Sequence, residues 1–127
     1  MFNQIKGLND TTGKIFRLYK SAFNRFPDRD GLAYWIKMNK SGENSFRQTA
    51  ESFINSTEFL ALFAKSPKDD EYLTSLYENV LDREPDIEGL SYWSSQLYSS
   101  NETRAEVLIG FSESNENISY FNNVFNI

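Results

Sequence analysis

Two short strings hold most of the side chains that could do chemistry. Arg25, Asp28, Tyr34 and Trp35 form the first, and Arg83, Asp86, Tyr92 and Trp93 form the second at the same spacing. A guanidinium and a carboxylate beside flat aromatic rings suit sugar recognition. The ring covers the apolar face of a pyranose, and the planar polar groups bracket its hydroxyls. The same residues also have a structural use. An arginine before a turn and an aspartate at the next helix start can close the loop with a bidentate, charge-assisted contact. Adjacent tyrosine and tryptophan cannot both face one core from a helix. Burying Trp35 and Trp93 therefore turns Tyr34 and Tyr92 elsewhere, toward a groove or the other copy. Gly31 and Gly89 fall in a first helical turn, where glycine is costly unless a backbone or a ligand approaches closely.

Other chemistry is closed by composition. The 127 residues include no His and no Cys, which removes thiolate nucleophiles, Ser-His and Cys-His pairs, common zinc ligand sets and disulfides. A formal charge of −5 argues against a nucleic-acid footprint and against an anionic membrane face. Asp82, Glu84, Asp86 and Glu88 alternate as in a calcium loop. Counted from Asp82, however, Ile87 and Trp93 occupy the positions that need glycine and a bidentate acid, so the pattern fails. No pair of carboxylates is fixed across a cleft for glycoside hydrolysis. The expectation is a non-enzymatic chain with no metal and no cofactor.

The elements that position these residues come from a duplication. Leu18 to Trp35 aligns with Leu76 to Trp93 without a gap, and Phe53, Ser56 and Glu58 recur as Phe111, Ser114 and Glu116, all at a shift of 58 positions. Each copy reads as helical. Ile15, Leu18, Tyr19, Ala22 and Phe23 keep the amphipathic i, i+3, i+4, i+7 spacing, matched by Tyr72, Leu73, Leu76, Tyr77 and Val80. The helix must stop before Pro27 or Pro85, and the proline suits the first turn of the next helix. Ser56 and Ser114 read as N-caps of a short fourth helix. The expected fold is all-α, with two tandem repeats of about four helices packed as one pseudo-two-fold domain over residues 1–127. Repeat one covers about 11–65, a linker 66–70, and repeat two about 71–125. A unit this small buries too little alone, so the two share a core built from Trp35, Trp93 and the phenylalanines. No signal peptide or membrane span is readable. The compartment stays open between the cytoplasm and export without a signal peptide.

The string Arg-x-Pro-Asp-x-x-Gly-Leu-x-Tyr-Trp followed by Ser-x-Glu resembles the repeat of the bacterial family named domain of unknown function 4214. Those repeats are similar to the helical linker domains of phycobilisomes. The resemblance rests on Arg25, Pro27, Asp28, Gly31, Leu32, Tyr34, Trp35, Ser56 and Glu58. In the second copy it rests on Arg83, Pro85, Asp86, Gly89, Leu90, Tyr92, Trp93, Ser114 and Glu116. It implies an accessory helical module without catalysis. The expected function is recognition of bacterial surface or extracellular carbohydrate through both strings. The rival is an assembly module whose aromatics contact a protein partner or a second copy.

Overall fold

The computed structural model describes residues 10–63 and 68–125, and over these it is all-helical. The first four helices are α1 (Thr11–Phe23), α2 (Arg29–Lys40), α3 (Phe46–Ile54) and α4 (Thr57–Phe63). The next four are α5 (Asp69–Leu81), α6 (Ile87–Tyr98), α7 (Arg104–Ser112) and α8 (Asn115–Phe125). Bound for bound, α5 to α8 repeat α1 to α4 at the 58-residue shift, except that α8 runs on past Phe121, the counterpart of Phe63. Asp69 and Asp70 open α5, so they belong to a helix and not to the expected linker; Ser66 and Pro67 lie outside the described residues. No helix among the described residues is long and apolar enough to cross a membrane.

Local chemistry sets the helix ends. Asn24 and Asp82 stop α1 and α5 in the left-handed region, at φ 52° and 54°, a conformation that short polar side chains tolerate. Both helices therefore end three residues short of the proline. Pro27 and Pro85 precede the caps of α2 and α6 instead of entering their first turns, a correction to the sequence reading. The physical reason is that Asp28 and Asp86 take the N-cap place, each accepting from the amide three residues on, at Gly31 and Gly89. Capping boxes open α3 (Ser45 with Gln48) and α7 (Thr103 with Glu106). Ser56 and Ser114 cap α4 and α8, accepting from the amides of Phe59 and Asn117.

One cluster of buried side chains draws on both halves: Leu18, Tyr19 and Phe53 from the first, Leu73, Tyr77 and Phe111 from the second. Trp35 and Trp93 are half-buried at its margin instead of central to it. The halves differ in how they meet. Helix α1 packs on α7 and α8 as well as on its own neighbours. Its sequence explains that reach, because Ile15 to Tyr19 are five consecutive buried residues, and a helix covered on every side must lie inside. The buried Arg17 of that run meets Glu113 in a bidentate pair, Nε to Oε2 at 2.9 Å and Nη2 to Oε1 at 2.7 Å. A second difference is a swapped pair. Lys14 of α1 stands over the Phe46 ring of α3, whereas Arg104 of α7 stands over the Tyr72 ring of α5. Position 14 corresponds to 72 and position 46 to 104, so cation and ring exchange helices while the contact between the helices persists.

Candidate functional site

Each copy builds one joint around its arginine. In the first, Arg25 Nε donates to Glu58 Oε2 at 2.8 Å and Nη2 to Glu58 Oε1 at 3.1 Å. The same Nη2 donates to the Tyr19 hydroxyl at 2.7 Å, with the guanidinium 5.0 Å from the ring centre. In the second, Arg83 Nε and Nη2 reach Glu116 at 3.0 and 3.1 Å, over the ring of Tyr77. The joint pins the loop after α1 to the first turn of α4, and the loop after α5 to the first turn of α8. Hydrogen bonds donated to Glu58 and Glu116 hold both guanidinium groups in the charged form beyond their ordinary range. Burial pushes the Tyr19 and Tyr77 phenols up, opposed by the neighbouring arginines.

These contacts revise the partner assigned to the arginine. Loop closure by an Arg–Asp pair holds only in the second copy, where Arg83 Nη1 also reaches Asp86 Oδ1 at 3.3 Å. In the first copy Arg25 turns to Glu58. The Asp86 carboxyl sits below its ordinary range, first because the Gly89 amide donates to it and further because Arg83 does. The expected site residues thus divide by task. Arg25, Asp28, Arg83 and Asp86 are engaged in joints and caps. Trp35 and Trp93 pack against Phe53 and Phe111, with centroids 5.1 and 5.2 Å apart.

Of the expected aromatic site residues, Tyr34 and Tyr92 are the ones left exposed. They are 53% and 55% exposed, and each stands edge-on to its own tryptophan at 4.9 and 5.0 Å. An exposed carboxylate, Asp30 or Glu88, lies four residues before each tyrosine, one turn away on the same helical face. The tryptophans are held differently. Trp35 meets Phe53 at 87° and Trp93 meets Phe111 at 38°. Trp93 lies over Gly110, where a Cβ would come within 2.6 Å of its ring; the first copy has Ser52 at that position.

The sequence reading missed Tyr19, Tyr77, Glu58 and Glu116 as members of these joints. The findable trace was the fixed interval from arginine to glutamate, the same in both copies. No curated protein and no solved structure matches the chain. The family described as Domain of unknown function (DUF4214) matches residues 50–121, from within α3 into α8. That stretch holds the whole second string and Glu58, and leaves out Arg25 to Trp35. The match covers more than half of the chain, which therefore belongs to the family described as Domain of unknown function (DUF4214).

Proposed function

We propose that the protein is a non-enzymatic module that recognises carbohydrate through two copies of one surface, built on Tyr34 with Asp30 and on Tyr92 with Glu88. The observation that carries this reading is the repeated exposure of a tyrosine face braced from behind by tryptophan. Such a face covers the apolar side of a sugar ring, and the carboxylate one turn away accepts from its hydroxyls. The arginine joints give the surface a fixed platform, since they tie down the loop that leads into α2 or α6. Two equal weak sites on a repeating polymer gain by avidity. The pseudo-two-fold relation of the halves is part of the proposal. Matching helix bounds and matching joints support it, and the central place of α1 makes the relation approximate. The test is a glycan array read with the protein and with the Tyr34→Ala/Tyr92→Ala variant. Binding to a defined set of glycans that is weakened or lost for part of that set in the variant is expected; a folded protein that binds none of them, or a variant that binds them all as before, contradicts the reading.

A second reading, assembly with a protein, has its own observation. Helix α6 buries none of its residues fully, and Ile87 and Tyr98 at its two ends are 85% and 91% exposed. Eleven residues apart, they share one face about 16 Å along the axis. Light scattering at increasing concentration separates the readings. A dimer lost in Ile87→Lys/Tyr98→Lys favours assembly, and a monomer throughout favours recognition.

A further inference from the structure

A groove of about 760 Å³ opens where the C-terminal ends of α1 and α5 come together, with α8 forming its third wall. The volume lies in the range that holds small-molecule ligands. Positions equivalent by the duplication line it together: Ser21 with Asn79, and Asn24 with Asp82. Asn123 and Tyr120 add an amide and a half-exposed ring from α8. None of these is a residue of the two strings. One of them has a chemical debt. Ser21 is 2% exposed, and its Oγ has no hydrogen-bond partner among the described residues. A buried hydroxyl left without a partner is destabilising, and a ligand hydroxyl reaching the groove floor would supply one.

The lining also has a charge. Glu116 is already paired with Arg83, which leaves two carboxylates (Glu78 and Asp82) against the single ammonium of Lys20. Lys20 itself donates to Asn24 Oδ1 at 3.4 Å. Amide groups give and accept with sugar hydroxyls alike, and the net negative lining disfavours any anionic ring. We infer that this groove is a further saccharide site, selective for hydroxyl-rich rings that are uncharged or carry an amino group, and closed to uronic acids. The inference shares its ligand class with the proposed function and rests on that reading for it, but it uses other residues.

The experiment separates the two sites. The Tyr34→Ala/Tyr92→Ala variant is titrated with a glucosamine trisaccharide, its N-acetylated form and a galacturonic acid trisaccharide, and the side-chain amide resonances of Asn24, Asn79 and Asn123 are followed. The two glucosamine sugars should shift those resonances saturably, at affinities at least tenfold above the galacturonate. Adding Ser21→Ala should weaken them about fivefold, the loss of one hydrogen bond, while thermal stability holds or rises because an unpartnered hydroxyl has been removed. Galacturonate binding as well as the others, or amide resonances that stay still, overturns the inference. An unmodified protein whose tyrosines bind none of these sugars while the resonances still respond contradicts only the function proposed above.

Discussion

Among the described residues, Arg17 is the one whose charge lies deepest: its side chain is 3% exposed, against 19% for its partner Glu113. Desolvating two ions is costly, and the return comes from their bidentate geometry. Removing one partner should then hurt far more than replacing both. Glu113→Ala is expected to lower the unfolding free energy by about 3 kcal/mol. The double change Arg17→Met/Glu113→Gln should cost under about 1.5 kcal/mol, since methionine keeps the packed volume. Urea midpoints for the two variants decide it. Equal losses would mean the pair stabilises by packing alone. In the sequence nothing marked Arg17 as buried, because an arginine among Ile15, Phe16 and Leu18 looks the same whether it snorkels or pairs. The exposed tyrosines were more legible: a Tyr-Trp pair on a helix must divide between core and solvent, and the half-buried tryptophans leave Tyr34 and Tyr92 outside.

At the scale of elements, the 58-residue register and the apolar spacing made the helix count readable, and the helix bounds keep that register except at the longer end of α8. The details of the ends were less readable. Proline marks the end of a helix only loosely, and the left-handed Asn24 and Asp82 fix the stop earlier. The two first-turn glycines looked alike in sequence, yet their surroundings differ. A Cβ on Gly31 meets only the Asp28 carboxylate at 2.8 Å, a side chain with room to turn, whereas one on Gly89 meets the Tyr77 hydroxyl as well as Asp86. Tyr77 is buried and held under Arg83. Gly89→Ala is therefore expected to destabilise by about 1–3 kcal/mol through overpacking. Gly31→Ala should stay within about 0.5 kcal/mol, since alanine's helix preference offsets a small adjustment. Melting curves that rank the two variants in the opposite order would show the second joint to be looser than its geometry.

Across the whole molecule, the absence of histidine moves the pH response to the ends of the scale, and the alkaline end is set by phenols. Burial pushes Tyr19, Tyr72 and Tyr77 up, most of all Tyr72. A group whose folded value is raised favours the fold fully below its unfolded value, near 10, and loses that contribution as pH rises through the folded one. Among the seven tyrosines, three should therefore ionise late, in step with the loss of helical circular dichroism. Phenolate absorbance and ellipticity recorded together check this; full ionisation of all seven while the helices persist would contradict the burial. The duplication was legible at this scale, but the unequal meeting of the halves was not, since α1 becomes the inner helix through long-range contacts that a repeat comparison does not contain. The central claim, that Tyr34 and Tyr92 are recognition faces, is tested most directly by tryptophan emission. Each tyrosine stands about 5 Å from its own tryptophan, and no tryptophan lines the groove. Titration with neutral oligosaccharides of glucose, mannose, galactose and N-acetylglucosamine should change that emission saturably for at least one of them, and Tyr34→Ala/Tyr92→Ala should abolish the change while the helical circular dichroism stays intact. An emission that none of these sugars moves, or one that moves equally in the variant, would contradict it.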